Sequence, residues 1–242
     1  MSMRKFLVCG GFYGSDKALE YLREAVNEYS PDGILVVGGI MPPTDRADEH
    51  TRLQYLERLF KLLGDTNIHA AVIPGTSDVP LHRFLGFAVN AEVDFPHVHV
   101  VHGTLDEEKD IAICGVGGNF AQAEDIRSPS LVYAKNTAEY LLRGLLRAEQ
   151  SRKIMLLGQA PPGPLGGDQG SEVVGELINT FHPDLCAVLG PTSNRGYQRI
   201  AHTFVVNPGS ITEGAAALVD WTKPVEQQVQ MLDLAGQAVR KS

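Results

Sequence analysis

Six short apolar runs, each cut off by glycine or proline, constrain this chain more than any other feature. Residues 5–9 stop at Gly10-Gly11, 34–37 at Gly38-Gly39, 70–73 at Pro74-Gly75 and 154–157 at Gly158. Residues 185–189 stop at Gly190-Pro191, and 203–206 at Asn207-Pro208-Gly209-Ser210. Runs this short, bounded by turn residues, read as strands. Helical stripes separate the first three: Leu19, Leu22, Val26 and Tyr29 within 16–29, then Leu53, Leu56, Phe60 and Leu63 within 48–63. Alternating strands and helices predict an α/β fold, with a parallel sheet covered by helices on both faces and sites at the carboxyl ends of the strands.

The middle of the chain reads differently. Apolar residues 98–101 and 111–114 flank a charged segment, 105–109, with no helical pattern between them, which predicts a hairpin. A long helix is expected over 129–150, a Gly- and Pro-rich loop over 160–170 and a helix over 171–181. A strand over 215–219 and a terminal helix over 225–240 complete the pattern. No internal repeat or low-complexity linker interrupts it, so residues 1–242 read as one domain, a length one core can serve.

Composition narrows the function. A formal charge of −8, from 21 basic and 29 acidic residues, offers no electrostatic footprint for a polyanion, so nucleic acid is not an expected partner. Cys9, Cys114 and Cys186 each sit in an apolar run, where a free thiol behaves as a small hydrophobe. No stretch has the length of a membrane span and the N-terminal apolar segment is short for a signal, so a cytoplasmic protein without a membrane partner is expected. The oligomeric state is open.

The first glycine turn, Cys9-Gly10-Gly11-Phe12-Tyr13-Gly14, fails as a dinucleotide fingerprint. That pattern needs glycine where Cys9 stands and an acid at the end of the second strand, where Val37-Gly38-Gly39 stands.

Five turns taken together, in order, resemble the calcineurin-like metallophosphoesterases. The family's Asp-x-His-Gly falls on Gly11-Phe12-Tyr13-Gly14, and its Gly-Asp on Gly38-Gly39. Its Gly-Asn-His-Asp falls on Gly75-Thr76-Ser77-Asp78, and its Thr-His-x-Pro-Pro on Gly158-Gln159-Ala160-Pro161-Pro162. Its Gly-His-x-His falls on Gly190-Pro191-Thr192-Ser193, ahead of the shared Asn207-Pro208-Gly209-Ser210. The resemblance implies a four-layer α/β/β/α sandwich. It also implies a pocket formed by Gly11, Tyr13, Gly39, Thr76, Ser77, Asp78, Gln159, Pro191 and Ser193.

The family holds two divalent metal ions at these positions, and such a centre needs carboxylates and imidazoles. Of the matching residues here only Asp78 is a carboxylate. The expectations are therefore no metal cofactor, no dinuclear hydrolase activity, and a ligand-binding or interaction module taking a small anionic or polar ligand, with Arg195 a candidate anion clamp. The rival reading is an active metal-dependent phosphodiesterase or phosphatase whose ligands lie elsewhere. His97 and His99 on one strand face, with His102 close by, have spacing compatible with zinc. His182 reads as a helix-end residue, and His202 lies in a turn before a strand.

Overall fold

The computed structural model describes residues 3–123 and 130–236. Elements run β1 (Lys5–Cys9), α1 (Asp16–Tyr29), β2 (Gly33–Val36), α2 (Glu49–Thr66), β3 (His69–Val72), α3 (Leu81–Asp94) and β4 (Val98–Val100). They continue through β5 (Leu105–Glu108), β6 (Ile111–Val116), β7 (Asn119–Ala121), β8 (Val132–Ala134), α4 (Lys135–Leu142), α5 (Gly144–Arg147) and β9 (Arg152–Leu157). The last are α6 (Glu172–Phe181), β10 (Leu185–Val188), β11 (Gly196–Ile200), β12 (Thr203–Asn207), β13 (Ala215–Asp220) and β14 (Val229–Asp233).

Two six-stranded sheets result, ordered β14-β13-β1-β2-β3-β4 and β11-β12-β10-β9-β6-β5, with β7 and β8 a separate parallel pair. In the first sheet β1 to β4 are parallel, and β13 and β14 run antiparallel beside them. The second is parallel from β6 through β9 and β10 to β12, with antiparallel β5 and β11 at its edges.

Strand alternation explains why the central runs are apolar on every residue. Leu7 and Cys9 face helices α1 to α3, whereas Phe6 and Val8 face the second sheet across a layer that includes Leu35, Ile113, Leu156 and Val206. Residues of β6, β9 and β10 on the far side of the second sheet pack on α4, α5 and α6. The order of layers is thus α/β/β/α, and each sheet carries helices on one face only.

Local signals place the helix ends. Asp48 caps α2 by accepting from the Thr51 N–H at 2.8 Å, and Asn67 ends it in the left-handed region. Helix α6 buries Val173, Val174, Leu177, Ile178 and Phe181, one stripe at helical spacing.

Three expectations about elements need correction. Residues 98–101 and 111–114 do not pair: β4 ends the first sheet, and β5, formed from the supposed charged turn, pairs with β6 at the edge of the second. The predicted 129–150 helix is strand β8 followed by α4 and α5, and its first residue lies outside the described residues. The predicted 225–240 helix contains edge strand β14, whose Val229 and Leu232 burial mimics a helical stripe, and residues 237–240 lie outside the described residues.

Candidate functional site: a cavity where the two sheets meet

The turns after the strands converge at one end of both sheets. Gly11 N–H donates to Gly38 O at 2.9 Å, and Tyr13 N–H to Gly39 O at 2.8 Å, joining the first two turns. Ser210 Oγ donates to Gly11 O at 2.6 Å, and Ser210 N–H to Thr192 Oγ1 at 3.1 Å, joining the last turns to the first. Asn207 acts as a hub: its Nδ2 donates to the carbonyls of Leu165, Pro191 and Asn194, and its Oδ1 accepts from Gly209 N–H at 3.0 Å. The Asn-Pro-Gly-Ser motif therefore shapes backbone around the site.

Between these turns lies a cavity of about 650 Å³. Of the expected residues, Tyr13, Thr76, Gln159 and Pro191 line it. Gly11 and Gly39 are buried immediately behind Tyr13. Ser193 and Arg195 are exposed outside the lining, and Ser193 Oγ is engaged with Asn194 Oδ1 at 3.0 Å. Asp78 is fully buried beneath the turns. Its carboxylate accepts from the N–H groups of Ile40, Met41 and Gly75 at 2.6–3.1 Å and orders the Gly39 and Gly75 turns. Burial pushes its pKa up, while those three donors and the Arg52 guanidinium favour the carboxylate. Arg52 itself ties the Pro42, Ser77 and Val79 carbonyls together, so the Ser77 position is held by its backbone.

Gln159 is already engaged at both ends: Oε1 accepts from Phe120 N–H and Nε2 donates to Gln169 O, each at 2.8 Å. Thr76 Oγ1 donates to Asn119 Oδ1 at 2.8 Å. Tyr13 adopts φ 45° and carries its ring over Gly39. Crowding by protein atoms, then the Asp78 and Glu213 carboxylates, push the Tyr13 hydroxyl pKa up.

Asn119, Asp168, Gln169 and Leu189 also line the cavity and were not foreseen. Asn119 arrives on β7, a three-residue strand too short to leave a pattern in the sequence. Asp168 and Gln169 belong to the Gly- and Pro-rich loop, whose length was legible but whose fold was not. Internal bonds such as Gly167 N–H to Gly163 O at 2.8 Å, and Asn194 Nδ2 to Pro164 O at 3.1 Å, make that loop a built wall.

His97, His99 and His102 do not gather into the expected group, whereas His182 ends α6 and His202 lies in the turn before β12, as expected. His97 bonds Gly64 O, and His102 Nδ1 accepts from Gly117 N–H at 3.0 Å while Nε2 meets the Tyr133 hydroxyl at 2.9 Å. His202 and His182 pack together at the opposite end of β12 from the cavity. His99 joins His69 and Asp106 instead, in a group whose candidate ligand atoms all lie within 4.8 Å of one another. The expectation of no metal cofactor is thereby overturned: this chain carries two imidazoles and a carboxylate placed to hold an ion, in a family that uses divalent metals. His69 opens β3 and Asp106 lies on β5, which the sequence presents as a turn, so their meeting could not be read from spacing.

The layered fold and the convergent turns define a phosphoesterase scaffold, and the profile of the metallophosphoesterases of the calcineurin superfamily matches residues 1–231. The chain belongs to that superfamily. Among solved structures it is similar to TT1561 of Thermus thermophilus, at 27% identity over 96% of this chain and 100% of that one, with a TM-score of 0.83. Its fold is also shared by a dimetal phosphatase from Danio rerio, at 9% identity, 91% and 93% coverage and TM-score 0.64. A 5'-nucleotidase from Candida albicans SC5314 shares it too, at 12% identity and TM-score 0.59, over all of this chain and 54% of that one. A comparison with curated proteins finds no match. Among the described residues no helix is long and apolar enough to cross a membrane.

Proposed function

We propose that this cytoplasmic metallophosphoesterase-fold protein does not run dinuclear hydrolysis at its strand-end cavity, and uses that cavity to bind a small polar ligand. The observation that carries the reading is steric. A Cβ at Gly39, where the family pattern has a carboxylate, would lie 3.0 Å from Tyr13 Cε1 and 3.1 Å from Gly11 Cα. A Cβ at Gly11, the other aligned acid, would meet Ser210 Oγ at 2.7 Å. The donor set left at the turns does not fit two dications: tyrosine, threonine and glutamine offer hydrogen bonds without charge, and Asp78 is consumed by three backbone donors.

The lining favours an uncharged or cationic ligand over an anion. Among the described residues, the one Asp, Glu, Lys, Arg or His that lines it is Asp168, and Arg195, the candidate clamp, stands outside. Tyr13, Asn119 and Gln169 supply hydrogen-bonding groups beside the apolar Leu189, a combination suited to a hydroxylated or amide-bearing metabolite.

The rival reading, a metal-dependent phosphodiesterase or phosphatase, draws support from the His69, His99 and Asp106 group. A thermal-shift screen of nucleosides, sugars, nucleotides and carboxylates, paired with hydrolysis assays in added Mn²⁺ and Zn²⁺, separates the two. We expect a neutral or cationic hit that weakens about tenfold or more in Asn119→Ala, the size of one or two lost hydrogen bonds. Anionic hits lost in Arg195→Ala would favour the anion clamp instead. Metal-dependent phosphoester hydrolysis abolished by His99→Ala would establish the rival.

A further inference from the structure

We infer that His69, His99 and Asp106 form a mononuclear divalent-metal site of the zinc class that clamps the edges of the two sheets together. It lies apart from the strand-end cavity, because His69 opens β3, whereas the cavity turns follow the strands' far ends.

Three strands build it. His69 shares a strand face with Ala71, and Ala71 stands opposite His99 in the β3–β4 register. Ala71 belongs to the layer between the sheets, so both imidazoles project into that layer at its margin. Asp106 is paired with Ile113, another residue of the same layer, and reaches the histidines from β5 at the edge of the second sheet. The first sheet thus supplies two nitrogens and the second one oxygen.

His69 Nε2 lies 2.7 Å from Asp106 Oδ2, and the side chains are only 12% and 10% exposed. The His69 and His99 rings are 5.0 Å apart and tilted by 32°. A His–Asp ion pair alone would account for two members of this group. It does not account for His99, a half-buried imidazole that makes no hydrogen bond among the described residues and whose ring nitrogen stands within reach of both partners. Zinc-to-nitrogen bonds of about 2.0–2.1 Å put tetrahedral ligand atoms roughly 3.3 Å apart. The 2.7 Å pair must open slightly, and the other pairs, each within 4.8 Å, close by at most about 1.5 Å.

Two neutral imidazoles and one carboxylate around a dication leave a net charge of about +1 and a fourth position for water, a donor set that suits Zn²⁺ or Co²⁺ rather than Ca²⁺ or Mg²⁺. An ion held between His69 and Asp106 would replace the direct contact of His69 Nε2 with Asp106 Oδ2. Because the ligands come from both sheets, binding also stabilises the folded chain by mass action.

Metal-stripped full-length protein titrated with Co²⁺ and Zn²⁺ tests this. We expect one ion per chain, a tetrahedral Co²⁺ absorption spectrum and a raised melting temperature, with affinity at least about 100-fold weaker in His99→Ala and in Asp106→Asn. Circular dichroism of the stripped variants checks that they remain folded. Should either variant fail to fold, X-ray absorption of zinc-loaded wild type still decides, since the site requires two imidazoles and no sulfur around the ion. A stoichiometry well below one, a spectrum without the imidazoles, or binding unchanged in both folded variants would overturn the assignment.

Discussion

The aromatic ring of Tyr13 occupies the space a side chain on Gly39 would need: a Cβ there would sit 3.0 Å from Cε1 and 3.2 Å from Cζ of that ring. Both residues hold left-handed backbone, φ 45° at Tyr13 and 64° at Gly39, and the Tyr13 N–H to Gly39 O bond locks them together. A non-glycine residue at Tyr13 is strained unless its surroundings hold it there, and such strain gathers at functional sites. Here it delivers an aromatic hydroxyl to the cavity wall.

Gly39→Ala should accordingly destabilise the fold by roughly 1–3 kcal/mol, from the positive φ and the close approach together. Urea denaturation reads this directly. Gly39→Ala in a Tyr13→Ala background should cost less, because the ring contact is gone and only the positive φ and the approach to Gly11 Cα remain. Equal cost in both backgrounds would mean that the ring does not constrain the turn.

Asp78→Asn should cost about 2–4 kcal/mol, since an amide nitrogen would face backbone N–H groups and leave at least one buried donor unpaired. Equilibrium unfolding measures the loss. A neutral result would place Asp78 among the dispensable residues of the old pattern.

Stability should fall with acid through His102. Its Nδ1 accepts from Gly117 N–H, so Nε2 carries the proton, and adding a second proton would bring two N–H groups face to face. Burial holds its pKa down at about 4, against an ordinary value of 6.5. The unfolded chain therefore binds a proton that the folded chain refuses. This contribution is intact above about pH 6.5 and is lost as pH falls toward about 4, by a total on the order of 3 kcal/mol. Urea midpoints from about pH 7.5 to about pH 4.5, compared with His102→Gln, isolate the effect, and parallel curves for the two proteins would contradict it.

Much of the scaffold could be read from residues alone because its strands are buried on both faces, and full burial leaves unbroken apolar runs such as Ile34 to Val36 and Leu185 to Val188. Edge strands escaped for the opposite reason. β5 reads Leu-Asp-Glu-Glu and β11 Gly-Tyr-Gln-Arg-Ile, half-exposed sequences that their antiparallel neighbours, not local pattern, make into strands. Asp78 aligned with a family acid, yet its backbone partners from the Gly39 and Gly75 turns could be seen only once both turns were placed. The His69 and Asp106 pairing spans 37 residues and two sheets, and no spacing rule reaches that far.

The central claim is that the strand-end cavity is a polar-ligand site rather than a dinuclear centre, and anomalous scattering from crystals soaked in Mn²⁺ and Zn²⁺ tests it most directly. The account predicts no pair of ions among the Gly11, Gly39, Thr76 and Pro191 turns, and a single zinc peak at His69, His99 and Asp106. Two peaks about 3.5–4 Å apart between those turns, the spacing of a working dinuclear site, would contradict it.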